Sequence, residues 1–446
     1  MDKAEISICL KSDTYMLEKE LRSEIIGLVR REVVPAMGCT EPAAVSLAVA
    51  KATETLGTLP GRIRVGLSSN MLKNAMGVGI PGTGMIGLPI AVALGALIGK
   101  SEYGLEVLRD VNEESVKKGR RYIEEGRIEV YLVKDTPSNL HIDVEVEAED
   151  HKARCVISRM HTEYVLIEKD GAILFSKEEA EGEDNAGESH HQDVELNLRM
   201  VWEFATESPV EELSFILEAR DLNYAAAQHG FKGGFGHSLG STIYNYGKIY
   251  FGDSTVEHMI CATSAACDAR MGGAPIPVMS NSGSGNQGIT ATMPVVIFAE
   301  DNNADEEHLV RALMLSHLTS IYIKQSLGRL SALCGCVVAS TGAASGIVYL
   351  MGGGYEQVCA SVKNMVANLA GMLCDGAKPS CSMKISSGVS TAMMSAMLAM
   401  NGKCATSTEG IVSDDVDQTI RNLTSIGREA MKVTDLYVLD IMTGKC

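Results

Sequence analysis

The chain has 446 residues, 46% of them apolar and 22% charged, and a formal net charge of −18. That length allows two domains, or one domain carrying an insertion. The acidic balance excludes a nucleic-acid partner and a surface that clings to anionic lipid, because both need Lys and Arg to neutralise phosphate.

The opening stretch, MDKAEISICLKSDTYMLEKE, carries acids and no apolar run, so no secretory signal is expected and the protein is expected to be cytoplasmic. Residues 16–33 and 40–57 repeat apolar positions at helical spacing, and GRIRVGLS (61–68) alternates like a strand. A polar, glycine-rich loop is expected at 68–84. The apolar helix after it, MIGLPIAVALGALIG (85–99), is too short to span a bilayer. NEESVKKGRRYIEEG, from about 112 to 125, reads as an exposed helix.

Between 127 and 176 the character changes to short alternating strands separated by turn residues, as in an antiparallel sheet inserted into a helical protein. Residues 177–193 are acidic and nearly devoid of apolar side chains, and read as a solvated loop, His190 and His191 included. Helices are expected at 195–204, 208–229, 255–271, 305–326, 330–350, 355–374, 387–400 and 413–432, the last but one carrying the core methionines AMMSAMLAM. The expected fold is therefore α+β, a predominantly helical catalytic core with an inserted antiparallel β subdomain. Its parts are an N-terminal helical part with the glycine-rich loop (1–126), the β subdomain with its acidic loop (127–194) and a helical catalytic part (195–446).

Twelve cysteines without an export signal imply a reducing compartment. Cys9, Cys155, Cys261, Cys267, Cys359 and Cys404 read as buried small side chains. Four stretches interrupt the helices with glycine and small polar residues: AMGCTEP (36–42), SSNMLKNAMGVGIPGTG (68–84), MSNSGSGNQGIT (279–290) and the cysteine segments around 334–336 and 374–381. Such segments sit where backbone N–H groups approach a ligand closely. SNSGSGNQG offers hydroxyls, amides and N–H groups suited to a carboxylate, or equally to an ordinary capped loop. Gly77, Gly79 and Gly82 fit G-x-G-x-x-G, with Glu102 near the offset of a ribose contact. Those glycines follow a polar segment rather than a strand, and Pro81 occupies the turn, so nicotinamide binding is not expected.

CDGAKPSC places Cys374 and Cys381 around Gly376 and Pro379, just after a helix, and LCGC places Cys334 and Cys336 at the start of an earlier one. Zinc sites pair short C-x2-4-C motifs or add histidines, so these spacings fit zinc poorly. An iron–sulfur cluster tolerates wider spacing and wants thiolates at turns, where N–H groups reach the sulfurs.

PAMGCTEPAA, SGSGNQGI, LCGCVVA and CDGAKPSC resemble the L-cysteine desulfidase family and, more remotely, the catalytic part of the bacterial iron–sulfur L-serine dehydratases. The resemblance runs from about residue 30 to the C-terminus. It implies an oxygen-sensitive 4Fe-4S cluster on three cysteines with one iron open to substrate, and no pyridoxal phosphate. Carried over, the ligands would be Cys374, Cys381 and one of Cys334 and Cys336, and Cys39 would be the catalytic base. SSN (68–70) is similar to the serine-rich substrate loop of the dehydratases, but Asn70 replaces a histidine, which puts serine as substrate in doubt. SNSGSGNQG stands where those enzymes have a Thr-Asn-Gly loop.

The implied reaction is α,β-elimination of L-cysteine to sulfide, pyruvate and ammonia. The alternatives are a dehydratase for L-serine or another β-substituted amino acid, and a cluster-free protein that senses an amino acid. An open iron would serve as Lewis acid. Lys73 or a helix N-terminus would favour the Cys39 thiolate. Ser68, Ser69, Asn70, Ser282, Ser284 and Asn286 would hold the substrate carboxylate and amine. Arg270 is expected to pair with that carboxylate or with Asp268, His237 to line the site or to be structural, and Lys378 and Lys384 to offset cluster charge. Cys446 reads as an incidental terminal cysteine, or as a cap on the open iron. The expected partner is a small amino acid, with neither nucleic acid nor membrane, and the alanine-rich helices suit a homodimer.

Overall fold

The computed structural model describes residues 17–134, 136, 138, 140–177, 194–328 and 331–444. Cys9, the His190–His191 pair and Cys446 lie outside them. The chain begins α1 (Lys19–Glu32), β1 (Pro35–Met37), α2 (Thr40–Leu56), β2 (Arg62–Leu67), α3 (Ser69–Ala75), β3 (Gly79–Ile80), β4 (Met85–Ile86), α4 (Leu88–Leu97) and α5 (Glu113–Glu124). Five strands follow: β5 (Ile128–Leu132), β6 (His141–Ala148), β7 (His151–Ser158), β8 (Tyr164–Lys169) and β9 (Ala172–Ser176). Beyond them come α6 (Leu198–Glu207), α7 (Val210–Leu213), α8 (Leu217–Phe231), α9 (Leu239–Tyr246), α10 (Lys248–Phe251), α11 (Thr255–Met271) and β10 (Pro277–Met279). The remainder is α12 (Gly285–Asp301), α13 (Glu306–Leu327), α14 (Gly335–Leu350), α15 (Tyr355–Leu369), α16 (Cys381–Met400), α17 (Val416–Ser425) and α18 (Lys432–Thr443). This is an α+β fold with a mainly helical core.

The six-stranded sheet has the order β5-β2-β6-β7-β8-β9. β2, from the N-terminal part, pairs with β5 in parallel and with β6 antiparallel, so the sheet draws on both sides of residue 127. A lone strand would leave its backbone donors and acceptors unpaired, and this insertion satisfies both edges of β2. Its alternation buries Ile63, Val65 and Leu67 on the same side as Ile142, Val144 and Val146 of β6. The small side chains Ala44, Ala48 and Ala52 of α2 join this sheet-side core, and Leu439 of α18 returns to it from the end of the chain. A second, helical core combines α1 with residues from 196 onward.

Among the described residues, no helix is long and apolar enough to cross a membrane. The helix expected at 85–99 is the shorter, buried α4. The loop expected at 68–84 contains α3, whose residues Asn70 to Lys73 are buried. Glycine lets helices touch backbone to backbone. A Cβ on Gly230 of α8 would strike the Ala265 carbonyl and stand 3.0 Å from the Ala265 Cα of α11. Gly230→Ala is therefore expected to cost about 1–3 kcal/mol as overpacking, read as a lower urea midpoint at unchanged slope.

Candidate active site

Two short antiparallel pairings bring the glycine-rich segments together. β1 pairs with β10 in the register Pro35↔Met279 to Met37↔Pro277, which sets the start of GCTEP beside the start of SNSGSGNQG. The Val34 carbonyl accepts from the Ser280 N–H at 2.9 Å and from its hydroxyl at 2.6 Å. A single bridge, Leu333↔Leu373, aligns LCGC with CDGAKPSC. There the Cys334 N–H donates to Met372 O at 3.0 Å and the Cys374 N–H to Ala332 O at 2.7 Å. CDGAKPSC also lies against α3. Gly376, at φ +88°, has room for no side chain, since a Cβ there would collide with the Lys73 carbonyl.

The ten described cysteines are all free thiols. Cys334 caps the N-terminus of α14, and Cys381 is the first residue of α16. The neighbouring Cys334 thiol holds Cys374 well below the ordinary thiol range despite burial; Lys73, the Gly376 N–H and Lys384 add to the effect. The same contact and burial push Cys334 up. Burial and the neighbouring Cys381 push Cys336 up to about 12, and its thiol donates to Lys384 O at 3.2 Å. Lys378 reaches Asp375 at 2.5 Å, and Lys384 pairs with the same carboxylate. Cys267, read from sequence as filler, feels both Cys381 and Cys336 and so belongs to this group.

Soft sulfur donors at turns and helix N-termini, with ammonium groups alongside, suit an iron–sulfur cluster. A cluster's ligands sit on separate irons and need not crowd as ligands of one ion do. The one tight group of that second kind among the described residues is Asp253, Glu257 and His258, within 4.8 Å of one another and without a cysteine.

Cys39 is the N-cap of α2 and 6% exposed. Its thiol donates to Glu41 Oε2 at 2.8 Å. Burial pushes the thiol far up, Glu41 adds to that, and Arg270 opposes it. Burial also disfavours the Glu41 carboxylate, but His161, the Cys39 thiol, a backbone N–H and Arg270 together hold Glu41 below its usual range. Asn74 of α3 donates to Glu41 Oε1 at 3.3 Å. Lys73, on the same helix, instead pairs with Asp435 of α18, and its field reaches Cys374. The cation that acts on Cys39 is Arg270.

Arg270 is 4% exposed and, among the described residues, has no carboxylate in ion-pair contact. Its Nη1 donates to Asn286 Oδ1 at 3.0 Å, and its Nε is buried without a partner. Asp268 does not pair with it; Asp268 Oδ2 accepts the Gly240 N–H at 2.9 Å. Cys267, one helical turn from Arg270 on α11, donates to the same Asn286 oxygen at 3.5 Å. Asn286 thus joins Arg270 to the thiol group. Among the other residues singled out in the sequence, Asn70 is buried with its Oδ1 unpartnered, and the Ser68 hydroxyl accepts the His141 N–H at 3.2 Å. Ser69 begins α3 beside them. The Ser282 hydroxyl donates to Asn281 Oδ1 at 2.9 Å, and Ser284 caps α12. His237 is exposed in the loop before α9, where its field reaches Asp268. Cys404 is exposed rather than buried, near the start of the segment that follows α16.

A buried histidine anchors the serine-rich segment. His317 of α13 accepts from Asn281 Nδ2 at its Nδ1 (3.1 Å) and meets Thr292 Oγ1 through Nε2 at 3.0 Å. Thr292 already donates to Gly288 O, so the tautomer assigned by these partners carries its proton on Nε2. Burial pushes His317 down to about 3. A depressed histidine contributes stability that is complete above its unfolded value, about 6.5, and is lost as the pH falls from there toward the folded value. Urea midpoints measured from pH 7 down to pH 4 are expected to show a loss approaching about 1.4 kcal/mol per pH unit that His317→Gln removes.

The serine dehydratase alpha chain family matches residues 102–440, which include the four paired cysteines and Arg270. A UPF0597 protein of Bacteroides thetaiotaomicron is 60% identical over 431 residues, covering 96% of this chain and 99% of the relative. One from Bacteroides fragilis is 58% identical over 96% of this chain and 100% of its own length. One from Porphyromonas gingivalis is 51% identical with the same coverage of both chains. Near-complete overlap at such identity, together with a family match over most of the helical core, leaves one assignment: the chain belongs to the UPF0597 family and to the wider serine dehydratase alpha chain family.

Proposed function

We propose that the protein is an iron–sulfur-dependent lyase that eliminates the β-substituent of a small L-amino acid, with L-cysteine as substrate and sulfide, pyruvate and ammonia as products. The observation that carries this reading is the buried guanidinium of Arg270, without a carboxylate of its own, whose field reaches both Cys39 and Cys267. A buried cation with no carboxylate in contact is costly, and here, among the described residues, only the more distant Glu41 offsets its charge. A substrate carboxylate would do so through the free Nε, and the unpartnered Oδ1 of Asn70 would accept from the substrate ammonium.

Cys374, Cys381 and one of Cys334 and Cys336 would hold the cluster, with Cys267 beside them. A cluster with an open iron supplies a Lewis acid for the leaving group. The chain's own residues do the rest: Arg270 and Asn286 orient the carboxylate, and Cys39 takes the Cα proton. The name of the matched family keeps L-serine as the second substrate to test. The deciding experiment is anaerobic reconstitution with iron and sulfide, followed by pyruvate formation from L-cysteine beside L-serine. Pyruvate from L-cysteine alone is expected. Pyruvate mainly from L-serine replaces the substrate, and no pyruvate from a cluster-loaded protein overturns the lyase reading.

A further inference from the structure

Cys39 is a poor base as the structure presents it. Its sulfur is almost sealed from solvent, it carries a proton, and that proton points at Glu41 Oε2 from 2.8 Å. Among the described residues, Glu41 is the hydrogen-bond acceptor of this thiol. The carboxylate is fixed in place as the ionised acceptor of that hydrogen bond: Asn74 donates to Oε1 at 3.3 Å, the Thr40 hydroxyl donates to Oε2 at 3.2 Å, and Glu41 sits in the first turn of the helix that Cys39 caps. Among the described residues, His161 and Arg270 are the cationic side chains whose fields act on the pair.

We propose that Glu41 is the positioning residue that takes the Cys39 proton, so that base catalysis depends on a Cys39–Glu41 pair rather than on a standing thiolate. The proposal rests on the lyase reading. The S–H bond breaks, its electron pair stays on sulfur, and an O–H bond forms on Glu41 Oε2. The thiolate, favoured by the N-terminus of α2, removes the Cα proton, and the Cα–H electron pair expels the β-sulfur as the C–S bond breaks. The proton on Glu41 then passes to the departing hydrosulfide. Cys39 is left as the thiol and Glu41 as the carboxylate, the arrangement at the start.

The test uses the anaerobically reconstituted full-length protein and its Glu41→Gln and Glu41→Asp variants, with two readouts. Turnover of Glu41→Gln is expected to fall roughly 100-fold or more, as for loss of a general base, while Glu41→Asp keeps a measurable rate and the shape of the pH profile. Iodoacetamide labelling of Cys39, followed on its own peptide by mass spectrometry, is expected to run about tenfold faster in Glu41→Gln, because a neighbouring negative charge that holds the thiol protonated is gone. Full turnover in Glu41→Gln overturns the proposal, and so does lost turnover with unchanged labelling, which marks a structural role only. If no variant and no parent protein turns over either amino acid, the lyase reading fails instead, and labelling alone decides the pair: faster labelling upholds the proton contact and unchanged labelling overturns it.

Discussion

Replacing Cys374 by serine is expected to remove cluster and turnover together. Cys374 is held by the Leu333↔Leu373 bridge, and the Cys334 thiol, Lys73, the Gly376 N–H and Lys384 all favour its ionised form. These are the contacts that favour a thiolate at a fixed point. A serine hydroxyl in that place is a harder, far less acidic donor. The iron content of the reconstituted variant is expected to collapse, with loss of the sulfur-to-iron absorption. If the Lewis acid supplies several kcal/mol, turnover falls by roughly a thousandfold or more. Cys381→Ser is expected to behave alike, and Cys359→Ser, in α15, to change neither iron nor rate. The same measurement on Cys334→Ser, Cys336→Ser and Cys267→Ser identifies the third ligand, because the variant that loses its iron names it. A Cys374→Ser protein that keeps a full cluster removes the central assumption about CDGAKPSC.

Much of this arrangement was legible along the chain, and the gaps have physical causes. The alternation of GRIRVGLS announces β2, but alternation says nothing about its neighbours, so its place between β5 and β6 waits for tertiary contacts. The segment SNMLKNA reads as loop because of its polar ends, yet it forms α3, and packing outweighs its weak propensity. α12 begins in SGSGNQG and contains Pro294, two features that argue against a helix locally, while its neighbours bury nearly all of it. α9 and α10 are too short to show a period, and α18 buries only Val438 and Leu439, so none of the three has a helical apolar pattern to read.

At the site, loop composition pointed to the segments that hold Cys39, Cys334, Cys336, Cys374 and Cys381, the family resemblance implied their roles, and Arg270 was read as pairing with the substrate carboxylate or with Asp268. They could not point to Cys267, which sits in SAACDAR and looks like filler in an alanine-rich helix. Its offset of one turn from Arg270 was the available signal. Nor could spacing say which cation serves which thiol. Lys73 is far closer to Cys39 along the sequence than Arg270 is, but its partner is Asp435 of α18.

Arg270 carries the second large effect. Arg270→Lys keeps the charge and loses the fork, so it is expected to raise KM for the amino acid by about 30- to 150-fold, the equivalent of about 2–3 kcal/mol for a charge-assisted hydrogen-bonded contact. kcat is expected to fall less, because in the proposed reading Arg270 would touch the carboxylate rather than the bond that breaks. The guanidinium lies against Gly285, where an added Cβ would stand 2.8 Å from Cζ, and a side chain of that length can yield without disturbing the fold. Gly285→Ala is therefore a second route to the same result: it leaves the arginine in the sequence and displaces its head from the Asn286 contact. Both variants are expected to raise KM while the iron content stays at the parent level, which separates carboxylate binding from loss of the cluster. If KM is unchanged in both, the buried guanidinium answers to Glu41 and Asn286 alone and the substrate carboxylate is held elsewhere, with the serine-rich segment ending at Ser284 and Asn286 as the next surface to change.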